Sequence, residues 1–87
     1  MRIKIHISSE NIRKGYQKDI NLSPISLALM DAGASEANTW TGSISATFDG
    51  IVEIFDYTPE LSEWLDLYDS PYGRRKVKPR SFVLSSK

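Results

Sequence analysis

The chain has 87 residues, of which 11 are basic and 11 acidic, so its formal net charge is zero. This length indicates one domain with a thin core, and the absence of cysteine excludes disulfides, thiolate metal ligands and a cysteine nucleophile. A balanced charge disfavours general coating of nucleic acid, and no apolar run approaches the roughly 20 residues that span a bilayer. We therefore expect a cytoplasmic protein with no membrane association.

The first two predicted elements are a strand and a short helix. Residues 2–7 alternate, with Ile3, Ile5 and Ile7 predicted to face inward, and this alternation is not that of a signal peptide. A serine then caps a helical turn over residues 10–14, which Gly15 ends.

The next helix carries the clearest start and stop signals in the chain. Ser23 is its predicted cap, Pro24 suits its first position, and Gly33 suits a left-handed stop. Its side chains are apolar nearly all round, so it must be covered on more than one side. Leu27 and Met30 form its second apolar face, which is either core or an interface with a second copy of the chain.

A β-hairpin is predicted after a loop at residues 34–38. Residues 39–47 and 51–55 have strand character, and Asp49–Gly50 between them is a turn signal. A two-residue turn would mix apolar and polar side chains on each face, whereas a three-residue loop over 48–50 gives one apolar face. We therefore expect the longer loop, with these pairs: Ala46 with Val52, and Ile44 with Ile54.

A second main helix begins at the cap Thr58 and presents one apolar stripe, formed by Leu61, Trp64, Leu65 and Tyr68. We expect Trp40 and Trp64 to be core residues, with the wall of a pocket as the alternative. Residues 81–85 predict a last strand. The fold class is α+β, with about four strands in a mostly antiparallel sheet and two principal helices.

The charges are unevenly distributed, because an acidic segment runs directly into a basic one. Six of the 11 acidic residues fall between Glu53 and Asp69, and five of the 11 basic residues fall within 74–80. Arginine and lysine bind phosphates, and a neighbouring aromatic ring can stack on a base. The alternative is a solvated loop that balances the acidic helix. The candidate ligand-binding residues are Tyr72, Arg74, Arg75, Lys76, Lys78 and Arg80.

An enzyme is not expected. His6 is the single histidine and lies on the polar face of the first strand, with no partner nearby in sequence. Glu60, Glu63 and Asp66 share a helix face that suits solvated acids better than a metal site. No phosphate-binding or dinucleotide glycine motif is present, so no cofactor is predicted.

Four short motifs occur in the order found in a family of small bacteriophage and prophage proteins, which the chain resembles. They are Ile12–Gly15, Ser23–Leu29, Tyr68–Asp69 and Val77–Leu84. Ser23 stands where the family has cysteine, Ser26 where it has alanine, and Arg80 is inserted before the closing strand. The resemblance implies a phage accessory protein, among which counter-defence is a recurring activity.

Three functional hypotheses follow. The first is a homo-oligomeric binding protein that sequesters an anionic, nucleotide-type immune signal through the basic loop. The second is a protein-interaction module that inhibits a host or defence protein through the acidic helix, whose exposed acids are Glu60, Glu63, Asp66 and Asp69. The third is weak nucleic-acid binding through the basic loop, which would depend steeply on salt.

Overall fold

Short helices and strands alternate along the chain in the computed structural model, which describes residues 1–86. In chain order they are β1 (Arg2–Ile7), α1 (Ser9–Lys14), α2 (Pro24–Asp31), β2 (Glu36–Thr39), β3 (Ile44–Phe48), β4 (Ile51–Phe55), α3 (Pro59–Asp69), α4 (Gly73–Lys76) and β5 (Arg80–Ser85). The α+β class is therefore confirmed. The strands form two antiparallel sheets, β1-β5 and β2-β3-β4, where one sheet was expected.

The predicted helix starts are confirmed because each has a side chain that satisfies a free backbone N–H. The side chains of Ser8, Ser23 and Thr58 accept hydrogen bonds from the third residue of α1, α2 and α3 respectively. Gly33, at φ 113°, takes the left-handed conformation expected after α2. Local capping chemistry thus sets where these helices begin.

The predicted register of the hairpin is wrong. Asp49 and Gly50 both have positive φ, 50° and 79°, so they form the two-residue turn whose twist matches the flanking strands. Phe48 consequently pairs with Ile51, and Ser45 pairs with Ile54. Ile51, Glu53 and Phe55 share the face of β4 that meets the core, where only Phe55 is buried, whereas Val52 and Ile54 lie on the other face.

Two further expectations about the chain path are also wrong. The predicted loop at 34–38 contains most of β2. The single strand predicted at 39–47 is divided by a turn at residues 40–43, so it covers the last residue of β2 and most of β3. The basic segment, expected to be a loop, begins with the short helix α4.

Trp40, expected in the core, is 45% exposed because it stands at the turn beyond β2, whereas Trp64 is buried as predicted.

The core lies between α2, α3 and the inner faces of the two sheets. Its largest fully buried side chains are Tyr68, Phe55, Ile5, Ile7, Ile25, Leu29, Ile44, Leu61 and Leu84. The second face of α2 is half-buried within this one chain, since Met30 packs against the core. No helix in residues 1–86 has the length and apolar character needed to cross a membrane.

Candidate functional site

The basic segment does not present its five cations alike, because Arg74 is engaged in holding α4 to α1. Its guanidinium donates hydrogen bonds to the backbone carbonyls of Ile12, at 3.3 Å, and of Gly15. The neighbouring Gly73 packs so tightly on α3 that a side chain there would overlap the carbonyl oxygen of Tyr68. Arg74 therefore has a structural role at this junction.

The remaining basic residues lie on the surface on either side of the buried Val77. The Arg75 guanidinium lies 5.9 Å from the ring centroid of the exposed Tyr72. Arg80 lies 4.8 Å from the ring centroid of Phe82, on β5. The two lysines lie between Arg75 and Arg80 in sequence. Lys76 donates to the Ser70 hydroxyl at 3.3 Å, and the side chain of Lys78 is exposed. Binding of an anion by this segment stays a prediction.

A cleft of about 390 Å³ opens on the other side of α3. Four segments that are distant in sequence form its walls: residues 18–23, residues 39–41, Tyr57 and the second half of α3. The lining residues are Lys18, Asp19, Ile20, Ser23, Thr39, Trp40, Thr41, Tyr57, Ser62, Leu65, Asp66 and Asp69. Its size is within the roughly 300–1,000 Å³ of typical ligand sites.

Carboxylates dominate the charge of this cleft. Burial raises the pKa of Asp69 above its ordinary value of 3.8. Lys18 opposes this rise in two ways: its backbone N–H donates to Asp69 Oδ1 at 3.0 Å, and its side chain carries a positive charge. The exposed Asp66 is close enough to raise the pKa of Asp69 further. Asp19 also lines the cleft, and its Oδ1 accepts the backbone N–H groups of Asn21 and Leu22 within its own loop.

Two aromatic residues, Tyr57 and Trp40, also line the cleft. Burial raises the pKa of Tyr57 to about 12, with smaller contributions from Asp69 and Asp66, so its hydroxyl stays protonated. That hydroxyl donates a 2.7 Å hydrogen bond to the carbonyl of Trp40, which fixes the turn after β2. The Trp40 indole N–H donates to Ser45 Oγ at 3.0 Å, so the ring is held in place although it is 45% exposed.

The floor of the cleft is a buried network of three hydroxyl groups. Thr39 Oγ1 lies 2.6 Å from Ser23 Oγ and 2.7 Å from Ser26 Oγ. Ser26 donates to the carbonyl of Ile20 at 2.9 Å, and Ser23 Oγ accepts the Ser26 backbone N–H. Every hydroxyl has a partner, so the network joins the start of α2 to the end of β2 beneath the cleft.

The other candidate residues stand apart from the cleft. His6 lies on the surface, as expected, with Nδ1 2.9 Å from Ser81 Oγ. Glu60 and Glu63 are exposed on α3 outside the lining residues. Within residues 1–86, no three side chains of the His, Asp and Glu types are grouped so that they could hold a metal ion.

Part of this site could be predicted from the sequence. The acidic face of α3 was recognised, and two of its members, Asp66 and Asp69, line the cleft. The pocket wall considered as an alternative for Trp40 is the position that it occupies. Nothing in the sequence linked either of these features to Lys18 or Tyr57, because the four segments meet only through the fold.

Comparisons with known proteins identify no relative of this chain. No family model matches the chain. Neither a curated protein nor a solved structure matches it. The resemblance to phage proteins therefore stays a prediction.

Proposed function

We propose that this protein is a non-catalytic interaction module whose cleft receives a cationic side chain, arginine or lysine, from a partner protein. The observation that carries the proposal is that Asp66 and Asp69 line the same cleft as the aromatic residues Trp40 and Tyr57. A guanidinium group pairs with carboxylates and stacks on aromatic rings, so this combination of walls suits it. The phage resemblance supports a host or defence protein as the partner.

The electrostatics of the cleft favour a cation over an anion. Asp19, Asp66 and Asp69 place three carboxylates there, while Lys18 supplies one positive charge that a ligand must share or displace. Burial makes the Asp69 carboxylate poorly solvated, and a bound cation would replace part of the water that it lacks. The protonated Tyr57 hydroxyl is engaged with Trp40, so it does not compete for the carboxylates.

Nitrogen–proton correlation NMR tests the proposal with defined probes. N-acetyl-arginine amide and N-acetyl-lysine amide should shift the indole N–H signal of Trp40 on titration, with dissociation constants in the millimolar range typical of roughly 4 kcal/mol of binding energy. N-acetyl-glutamine amide should leave it unchanged. The Trp64 indole, which donates to the Lys78 carbonyl in the interior, is an internal control that should not move.

Matched variants locate the binding energy. Asp69→Asn should weaken the binding of N-acetyl-arginine amide about fivefold, and Asp66→Asn about twofold, as expected for partly buried and exposed ion pairs. Glu63→Gln removes an acid from the same helix outside the cleft and should have no effect. Binding that is equal for the arginine and glutamine probes, or unaffected by both asparagine variants, would overturn the proposal.

A second candidate function is sequestration of an anionic, nucleotide-type ligand by the basic segment. The specific observation in its favour is the pairing of Arg75 with Tyr72, which is 76% exposed and so leaves a ring open for stacking on a base. Incubation with cyclic nucleotides and ADP-ribose derivatives, followed by assay of the free ligand, tests it. Capture that persists in Arg75→Gln and Lys76→Gln would exclude this segment as the site.

A further inference from the structure

The outer face of the β2-β3-β4 sheet is unexpectedly apolar. We use this name for the side chains that point away from the core, which are Glu36, Asn38, Trp40, Ser45, Thr47, Val52 and Ile54. Three of them are large, apolar and exposed: Trp40 by 45%, Val52 by 61% and Ile54 by 45%. Sheets with one wet face usually carry polar side chains there, so this composition indicates a binding surface.

The outer face is continuous with the cleft through Trp40. The Trp40 indole donates its hydrogen bond to Ser45, and Ser45 stands directly opposite Ile54 in the strand register. Val52 follows Ile54 on the same face of β4. A chain segment that leaves the cleft over Trp40 therefore reaches Ile54 after one strand spacing, about 5 Å, and Val52 after about 7 Å more.

The charge of the outer face matches that of the cleft. Glu36 is the one charged residue among the seven outer-face side chains, and it is acidic. Lys18 lines the cleft beside Asp69, and no further lysine or arginine is found among the described residues of the cleft and the outer face. A partner that is basic at one point and apolar beside it fits both regions, whereas an acidic segment fits neither.

We propose that the outer face binds apolar residues of the same partner segment whose basic side chain occupies the cleft. The partner is then an extended segment in which apolar residues lie at alternate positions within about four residues of an arginine or lysine, because about 12 Å corresponds to about four extended residues. This inference rests on the proposed function and adds the sequence pattern that the partner must carry.

Two synthetic peptides test the pattern. The first has arginine at its centre and valine or isoleucine at every second position on both sides, with glycine between them; the second has serine in place of each valine and isoleucine. Titrated into the protein and followed by NMR, the apolar peptide should bind at least about fivefold more tightly than the serine peptide. The backbone signals of Val52 and Ile54 should shift with the apolar peptide only.

A protein variant with a matched control completes the test. The double variant Val52→Thr, Ile54→Thr keeps β-branched side chains on β4, so it should fold, and it should abolish the advantage of the apolar peptide without changing the affinity for the serine peptide. Val83→Thr alters a residue of similar exposure, 41%, on the other sheet and should preserve the advantage.

The outcomes separate this inference from the proposed function. Equal affinity for both peptides would overturn the inference and leave the cleft as a site for a cation. Absence of binding by either peptide would overturn both. A wild-type protein that is dimeric in solution and becomes monomeric when Val52 and Ile54 are replaced by threonine would show that a second copy covers the outer face, and this too would overturn the inference.

Discussion

Replacing Thr39 by valine should destabilise the fold and the cleft together, because the threonine hydroxyl joins two serines of α2 to β2. Valine keeps the shape of the side chain and removes one oxygen. That oxygen makes two short hydrogen bonds, of 2.6 Å to Ser23 and 2.7 Å to Ser26, and Thr39 is buried. The variant thus tests the hydrogen-bond network with little change in packing.

The expected loss follows from the partners that remain. Ser26 keeps its bond to the Ile20 carbonyl, whereas the Ser23 hydroxyl keeps only a long contact with Ser26, at 3.4 Å, for its proton. Two neutral hydrogen bonds of about 1 kcal/mol each give a loss of about 2 kcal/mol in the free energy of unfolding. Ser26→Ala combined with Thr39→Val should cost less than the sum of the single changes, because both remove the same bond.

Urea unfolding measures this loss. With a slope of about 1 kcal/mol per molar urea, Thr39→Val should lower the midpoint by about 2 M. Thr47→Val, on the half-exposed outer face of the adjacent strand, is the control and should change stability by less than about 0.5 kcal/mol. A midpoint that falls no further for Thr39→Val than for Thr47→Val would refute the assignment of a stabilising role to this network.

Three other changes have defined outcomes. Gly73→Ala should cost about 3 kcal/mol or more in urea unfolding, since its Cβ would overlap the Tyr68 carbonyl, whereas Gly42→Ala meets no neighbour and should be close to neutral. Arg74→Ala should cost about 1 kcal/mol, because the Gly15 carbonyl loses its side-chain donor, whereas the Ile12 carbonyl keeps the Tyr68 hydroxyl. The affinity for N-acetyl-arginine amide should fall as the pH is lowered through the raised pKa of Asp69, above 3.8, and Asp69→Asn should flatten this profile.

The sign of the last effect follows from burial. Asp69 shares its surroundings with Lys18, Asp66 and Tyr57, and burial favours its protonated form over that of the unfolded chain. Its contribution to stability is therefore present at low pH and is lost as the pH rises through the folded pKa. A cation binds the ionised form, so ligand affinity changes with pH in the opposite direction. An affinity for the arginine probe that does not change with pH would contradict the placement of Asp69 in the site.

The helices could be predicted because their signals are local. A hydroxyl residue before a proline, as at Ser23 and Thr58, offers one hydrogen bond and one fixed backbone angle within a few residues. The capping hydrogen bond and the fixed backbone angle both depend only on residues that are adjacent in sequence. The same holds for the apolar stripe of α3, whose buried members Leu61, Trp64 and Tyr68 recur at helical spacing.

The strands were harder to predict because two criteria conflicted in the hairpin. The apolar pattern favoured a three-residue loop, whereas the Asp49–Gly50 pair favoured a two-residue turn with both residues at positive φ. The turn determined the register, since its backbone geometry is satisfied within the hairpin whereas side-chain pattern depends on what covers each face. β2 was missed because its four residues carry no run of strand formers.

The cleft itself was beyond local inference. Its acids stand on α3, its aromatic wall comes from residues 40 and 57, and its floor comes from α2 and β2. These segments meet only through tertiary packing. The basic segment attracted the functional hypothesis because its charges are adjacent in sequence, yet Arg74, its first cation, binds the backbone of α1.

The hairpin register also carries a functional argument. A register that turned Val52 and Ile54 inward would bury their apolar area, at roughly 25 cal/mol per Å², but would turn the fully buried Phe55 outward. The chain instead exposes these two side chains and turns Glu53 toward the core side. Natural sequences tend to depart from the usual pattern of polar side chains on an exposed sheet face where function requires it. The departure here, at Val52 and Ile54, lies next to the acidic cleft, because Trp40 lines the cleft and contacts Ser45 on the same face. The second apolar face of α2, by contrast, is half-buried within the same chain, and an interface with a second copy stays a prediction. The surface that still needs a partner is the outer face of the sheet, and the acids beside it set the charge of that partner.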